Sequence, residues 1–165
     1  MEREYLQGLD HKVYSIENVY KEDYLSRLLT TDGVFYSRLS LIELLENACI
    51  LYCSTLKGRI QAIREVMGYR HKTPVIVIPD LVSAFPTESY KKYTCVWIFN
   101  HPFQIEVLGK KKCKVIFKDG QFIIVNVSKE VLLSQQQRSD WTLEKFRKTQ
   151  DDMNNIIKHH KVRNY

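Results

Sequence analysis

Short apolar runs, separated by prolines and tight turns, are the feature that most constrains the fold of this chain. Six such runs follow one another between residues 75 and 127. The predicted strands cover 75–78, 82–85, 94–99, 103–108, 113–117 and 121–127. Three of the four prolines stand at the edges of apolar runs, where a fixed φ and a missing N–H mark the start or end of a strand. The middle of the chain is therefore predicted to be strand-rich and mostly antiparallel.

The dipeptide Asp119-Gly120 predicts the clearest hairpin, because Asp-Gly favours a two-residue turn between paired strands. Alternate residues of a strand point to opposite faces. One face of the strand before this turn carries Cys113, Val115 and Phe117. The other face carries Lys112, Lys114, Ile116 and Lys118. The pattern predicts one face in the core and one basic stripe.

Two short helices and a strand over 34–36 are predicted before this region. Residues 13–20 are predicted to form a strand or a loose hairpin, and residues 24–29 a short element. Ser40 is predicted to cap a first helix that ends near Asn47, with 49–52 as a short strand or extended link. A second helix is predicted over 59–67, preceded by Gly58 and closed by Gly68.

Two further helices are predicted after the strands, over 128–136 and 139–159. In the second, apolar residues recur at the alternating spacing of three and four that is typical of a coiled-coil seam. The predicted oligomerisation seam consists of Leu143, Phe146, Met153 and Ile157. The stretch is short, so the same residues could instead pack on the chain's own sheet.

These elements predict an α+β fold: a single compact domain over 1–165, with a mostly antiparallel core, two short internal helices and a C-terminal helical segment over 128–160. The 165 residues are 44% hydrophobic and 27% charged, which is typical of a folded protein. The charged start leads into no long apolar stretch, which favours a cytoplasmic protein without a membrane span. The four cysteines are then expected to remain thiols, packed as small apolar groups.

Positive charge is concentrated in the middle third of the chain. Residues 57–118 contain 12 basic and 4 acidic side chains, a net charge of +8, whereas residues 1–56 have a net charge of −4. A polyanion is the partner that such a distribution favours. The basic residues predicted to contact DNA are Lys57, Arg59, Arg64, His71, Lys72, Lys91, Lys92, Lys110, Lys111, Lys112 and Lys114.

Each of these basic residues could also serve only to hydrate the surface. Lys57, Arg59 and Arg64 surround the start of the second predicted helix, whose free N–H groups could bind a phosphate. Arg59 lies beside a glycine and could enter a narrow minor groove, or it could form a buried ion pair with Glu43 or Glu46.

Other chemistries have little support. No nucleophile elbow, Walker loop or dinucleotide fingerprint occurs, so no catalytic residue and no cofactor are predicted. Cys49-x-x-x-Cys53 has a spacing that zinc permits, but the second close pair of a structural site is missing, so no metal is predicted. The aromatic residues Trp97, Phe99 and Phe103 could stack on single-stranded bases, although aromatics on strands more often pack in the core.

The order of several residues resembles the ComK family of competence transcription factors of low-GC Gram-positive bacteria. The similar region runs from about 33 to 128. The matching residues are Gly58, Arg59, His71, Lys72, Pro74, Phe85, Pro86, Thr87, Cys95 and Trp97. The stretch 53–57 departs from the family, which is richer there in Gly, Ser and Tyr.

The resemblance implies a nucleoid-associated transcription activator of competence genes. It implies binding of paired A·T-rich boxes in double-stranded DNA, largely through the minor groove, by dimers or tetramers. A DNA contact is carried over only to Arg59, Lys72 and His71. RNA polymerase and a proteolytic adaptor are further implied partners, although the chain is short after its last helix, which leaves tail-directed proteolysis in doubt.

Two functions of other classes stay open beside this one. A non-specific single-stranded nucleic-acid-binding protein would use Trp97 and its aromatic neighbours. A protein-interaction module would use the last helix and leave the basic residues hydrated.

Overall fold

Nine strands and three helices make up residues 2–163, the part of the chain that the computed structural model describes. The first half contains β1 (Val13–Lys21), β2 (Tyr24–Thr30), β3 (Gly33–Ser37), α1 (Leu41–Ile50) and α2 (Leu56–Met67). The second half contains β4 (Val75–Ile78), β5 (Val82–Pro86), β6 (Val96–Phe99), β7 (Phe103–Gly109), β8 (Lys112–Phe117), β9 (Phe122–Val125) and α3 (Lys129–Arg163). Of the predicted domain 1–165, Met1, Asn164 and Tyr165 lie outside the described residues.

The strands form two antiparallel sheets. The large sheet has the order β3-β2-β1-β6-β5-β4, and the small sheet has the order β7-β8-β9. This arrangement, with two short internal helices and a helix at the C-terminal end, confirms the predicted α+β class.

Helix α1 covers one face of the large sheet. Its buried residues include Leu41, Leu44 and Leu45, and they pack with Ile16 and Trp97 of the sheet. The helix begins where the sequence predicts, because the Ser40 side chain accepts from the Glu43 N–H while the Glu43 carboxylate accepts from the Ser40 N–H.

The small sheet covers part of the opposite face. Cys113, Val115 and Phe117 of β8 are buried against residues of the large sheet that include Phe85 and Ile98. Their alternation with exposed or half-buried residues confirms the two faces predicted for this strand.

Helix α3 is one continuous element, so the predicted break between 136 and 139 is wrong. Ser139, taken as the start of a second helix, is buried, and its hydroxyl forms a hydrogen bond of 2.9 Å with the Ser83 hydroxyl of β5. This side chain therefore anchors the first third of the helix to the large sheet. The helix then continues past Arg147, which donates to Asp80, and the side chains of residues 147–162 are exposed.

Two other boundaries differ from the prediction. Residues 49–52 do not form a strand, because α1 runs to Ile50 and a turn follows. Helix α2 begins at Leu56, two residues before Gly58, since Thr55 is its N-cap and accepts from the Gly58 N–H at 3.0 Å. A Cβ on Gly58 would lie 2.9 Å from the Thr55 hydroxyl, so the capping geometry favours glycine there. Gly68, with φ of 72°, closes the helix as predicted.

The described helices include none with the length and apolar character needed to cross a membrane.

Candidate nucleic-acid interface

Gln135 of α3 fixes two loops at one end of the large sheet. Its side chain is buried, and its amide group donates to the Lys72 carbonyl at 2.8 Å and to the Pro86 carbonyl at 2.9 Å. Lys72 belongs to the loop before β4, and Pro86 is the last residue of β5. Both chain segments therefore meet at the same helix turn.

Arg138, one turn further along α3, strengthens this junction. Its guanidinium donates to the His71 carbonyl at 2.9 Å and to the Gln135 side chain, and it lies 4.1 Å from the centre of the Tyr69 ring. Burial lowers the pKa of Arg138 from its ordinary value. The loop that carries His71 and Lys72 is thus held by a charged side chain as well as by an amide.

The lysines of two other connections lie at this same end. Pro86 pairs with Trp97 across β5 and β6, so residues 88–95 project beyond Pro86. Tyr14, near the start of β1, donates to Asp119 at 3.0 Å and stacks on Phe117, so the last residue of β8 lies toward the opposite end of the large sheet from Pro86. The β7–β8 turn is at the other end of this strand, and Cys113, which follows the turn, is buried in one cluster with Val96 and with Leu132 of α3. This turn therefore lies on the same side as Pro86.

We call this region the basic end. It is defined by His71, Lys72, Lys91, Lys92, Lys110, Lys111 and Lys112. These are seven of the eleven residues that the sequence predicts to contact DNA. All are on loops, turns or a strand end. Loops supported by a rigid scaffold are common sites of ligand contacts.

Lys72 has a backbone φ of 48°, which is uncommon for a residue other than glycine. The hydrogen bond from Gln135 to its carbonyl holds the loop in this conformation. Strained backbone of this kind is often found at functional sites, where the surrounding structure stabilises it.

Arg59 has a different environment from the one predicted. Its guanidinium donates to the carbonyls of Ile76 and Val77 on β4, and its Nε donates to the Ser54 hydroxyl at 2.6 Å. β4 is an edge strand, so these carbonyls would otherwise lack a partner strand. Its partners are therefore carbonyl and hydroxyl oxygens rather than the carboxylates considered in the sequence.

Several N–H groups at the N-terminus of α2 already have acceptors. The Leu56 N–H donates to the Glu46 carboxylate at 2.9 Å, and Thr55 accepts from Gly58 and Arg59. A carboxylate thus takes one of the positions that a phosphate would use, and a phosphate site at this terminus stays a prediction.

Lys57 and Arg64 lie on α2, next to the basic end. Together with Tyr90 they line a cleft of about 570 Å³ that Trp97 also lines. Arg64 donates to the Thr73 hydroxyl at 2.9 Å. Since Thr73 directly follows Lys72, Arg64 contacts the same loop that carries His71 and Lys72, whereas Lys57 lies on the cleft.

Lys114 lies on the outer face of the small sheet. Its ammonium is 4.2 Å from the centre of the Phe122 ring and 3.9 Å from the Glu106 carboxylate. It shares a strand with Lys112 of the basic end, two residues away.

The predicted seam on α3 is divided between two environments. Leu143 is buried with Ile63 of α2 and Ile76 of β4, and Phe146 packs against the same cluster. Met153 and Ile157 lie beyond the last contact of α3 with the sheet, and both are about half exposed. The first half of the seam therefore packs in the chain's own core.

The other residues considered in the sequence have ordinary environments. Cys49, Cys95 and Cys113 are buried thiols, as predicted, whereas Cys53 is exposed, which that prediction missed. Among residues 2–163 no group of three or more His, Cys, Asp or Glu side chains converges as metal ligands would. Trp97 and Phe99 are buried in the core, so neither can stack on a base in this structure.

Gln135 and Arg138 are the important residues that the sequence did not reveal. A glutamine and an arginine three positions apart on a polar helix have no distinctive pattern. Their roles follow from the carbonyl groups that the loops bring to them, and these loops are distant in sequence.

Comparison with known proteins agrees with the resemblance read from the residues. The family model described as ComK protein matches residues 13–151. The competence transcription factor of Bacillus subtilis (strain 168) is 27% identical over 123 residues, which cover 73% of this chain and 64% of that relative. The chain thus spans a little less than two thirds of that relative's length, and no solved structure matches. Because the family model covers most of β1 to α3, the chain belongs to the ComK protein family.

Proposed function

We propose that this protein is a DNA-binding transcription activator of competence genes, and that the basic end contacts DNA. It would bind paired A·T-rich boxes, largely through the minor groove, as a homo-oligomer. The observation that carries the proposal is the convergence of three lysine-bearing connections at one end, two of which Gln135 joins directly. The name of the Bacillus subtilis relative supports the assignment to transcription.

The number of lysines at the basic end supports binding to the phosphates of a DNA duplex. The basic end presents six lysines on three separate connections, and Lys92 is the one among them that lies near a carboxylate, 3.8 Å from Glu88. A protein that neutralises about six phosphates loses affinity steeply with salt, with a slope of log K against log salt of about −5. Minor-groove readout distinguishes A·T from G·C pairs, and A-tracts attract basic side chains through their narrow groove.

Titration of three labelled probes by fluorescence anisotropy tests this function. The probes are a duplex with two A·T tracts one helical turn apart, a G·C-rich duplex and a single strand, each at several salt concentrations. We expect tightest binding to the A·T duplex with a steep salt dependence. Equal or tighter binding to the single strand would contradict the proposal and favour the single-strand alternative.

A double substitution of Lys110 and Lys111 by Ala tests the assignment to the basic end. Both residues are exposed in the β7–β8 turn, so the fold should be unaffected. We expect weaker binding and a salt slope smaller by about 2. Lys12→Ala is the control, because Lys12 directly precedes β1, at the end of that strand far from the basic end, and pairs with Asp32. A change in the salt slope for Lys12→Ala half as large as that of the double variant would show that only net charge matters.

We also propose that the exposed part of α3 mediates self-association. Met153, Ile156 and Ile157 are each about half exposed, on a stretch of helix whose side chains from 147 to 162 are all exposed. An isolated helix of this length is marginal in water, so a second copy of the helix would stabilise it. Leu143 and Phe146 would support this interface from the core.

Substitution of Met153 and Ile157 by Lys is expected to give monomers in light scattering. Val162→Lys is the control, since Val162 is exposed and lies off the predicted seam. Dimers that persist in the double variant would move the interface elsewhere. RNA polymerase and a proteolytic adaptor stay predictions from the family resemblance.

A further inference from the structure

The outer face of the small sheet is unusually apolar. The strand register places Ile116 beside Phe122 and Lys114 beside Ile124 on this face. Phe122 is 49% exposed and Ile124 is 40% exposed. An antiparallel sheet with one buried face normally directs polar side chains outward, yet β9 directs two large apolar ones. Among the described residues this pair has no element packed over it.

Positive charge surrounds this apolar pair. The Lys114 ammonium lies over the Phe122 ring, and Lys112 precedes it on the same face of β8. Lys110 and Lys111 extend the charge along the turn. Glu106 is the acidic residue opposite Lys114 in the register. Residues 103–126 contain five lysines against two carboxylates, which is complementary to a polyanion.

The face is continuous with the basic end. Lys112 begins β8 and belongs to the basic end, and Lys114 follows on the same face. A ligand that contacts the β7–β8 turn would therefore extend along the outer face. Duplex DNA has both of the required properties, since its minor groove is lined by apolar sugar edges and bordered by phosphates. Minor-groove proteins commonly combine basic residues with apolar side chains such as Phe and Ile.

Dimensions decide which part of the face can enter the groove. Neighbouring strands are about 4.8 Å apart, so three strands span about 10 Å, whereas the minor groove is only about 6 Å wide. The whole sheet does not fit, but the outward side chains of one strand do. β9 is an edge strand of the small sheet, and Lys114 lies one strand spacing away from it.

We infer that Phe122 and Ile124 of β9 enter the minor groove while Lys112 and Lys114 of β8 contact the phosphates along it. This inference rests on the proposed DNA-binding function and names the surface that performs it. It gives the apolar residues a role in affinity that does not depend on salt.

The test compares wild-type protein with Phe122→Ala on the A·T duplex at four salt concentrations. Loss of the exposed half of a phenyl ring should weaken binding about tenfold, with an unchanged salt slope, because no charge is removed. Lys112→Ala should instead lower the slope by about 1. Leu81→Ala is the matched control, since Leu81 is 50% exposed in the turn between β4 and β5, at the opposite end of the large sheet. Thermal melts establish that every variant is folded. The variant Phe122→Leu keeps an apolar side chain and should therefore bind the A·T duplex more tightly than Phe122→Ala.

The outcomes separate the inference from the proposed function. Wild-type protein that fails to bind any duplex would overturn the proposed function. Wild-type protein that binds the A·T duplex, with a folded Phe122→Ala variant that binds equally well, would overturn only the inference. Loss of binding to anionic phosphatidylglycerol vesicles in Phe122→Ala, with unchanged DNA binding, would also overturn it and assign the face to a lipid surface.

Discussion

Replacement of Arg59 by Ala is expected to destabilise the fold. The guanidinium donates to the carbonyls of Ile76 and Val77 on the edge strand β4 and to the Ser54 hydroxyl. A hydrogen bond from a charged group contributes about 1.5–3 kcal/mol, and a carbonyl left without a partner costs about 1–3 kcal/mol. Since Arg59 is partly exposed, water can replace some of these contacts, so we expect a loss of about 2–4 kcal/mol in the free energy of unfolding.

Urea denaturation followed by circular dichroism measures this loss. With a urea m-value of about 2 kcal/mol/M, the midpoint should fall by about 1–2 M. Lys57→Ala, two residues away and exposed, is the control and should leave the midpoint unchanged. Arg59→Lys should recover little, because an ammonium cannot reproduce the geometry of the guanidinium.

DNA binding of the same variant separates the structural role from a direct contact. The measurement is made at a temperature and urea concentration where Arg59→Ala is fully folded. If Arg59 only joins α2 to β4 and does not contact DNA, the salt slope of DNA binding should equal that of wild type. An unchanged urea midpoint together with weaker DNA binding would refute the structural argument and restore the direct contact that the family resemblance implies.

Three further predictions concern single side chains. Burial lowers the pKa of His101 from its ordinary value of 6.5. The unfolded state therefore binds more protons than the folded state as the pH drops below 6.5, and the melting temperature should fall. The variant His101→Gln should show a smaller fall. Cys53 is the exposed thiol among the four cysteines, so a thiol reagent should modify one group per native chain rapidly, and Cys53→Ser should abolish that fast phase. Gln135→Met should lower the free energy of unfolding by about 2–3 kcal/mol, because one buried and one partly buried carbonyl lose their donor. At a temperature where this variant remains folded, it should also bind DNA more weakly than wild type. Unchanged stability would show that water replaces the amide.

Local rules were sufficient for much of the fold. The Asp119-Gly120 turn, the alternation along β8 and the capping box at Ser40 each depend on residues close in sequence, and the structure contains all three. The continuous α3 was missed for a local reason. Serine is a common N-cap residue, so Ser139 suggests the start of a helix. In the structure its hydroxyl instead bonds to Ser83, which is distant in the sequence and could not be predicted from the neighbours of Ser139.

The candidate site depended more on tertiary structure. The sequence itself determined that positive charge is concentrated in the middle third, that the strands there alternate, and that the residues resemble the ComK family. Only the fold decided which basic residues share a surface: Gln135 joins two distant loops at the basic end, while Arg59 is turned inward to an edge strand. The physical reason is that charge and periodicity are properties of neighbouring residues, whereas the partner of a buried amide or guanidinium is set by the packing of elements far apart in the chain.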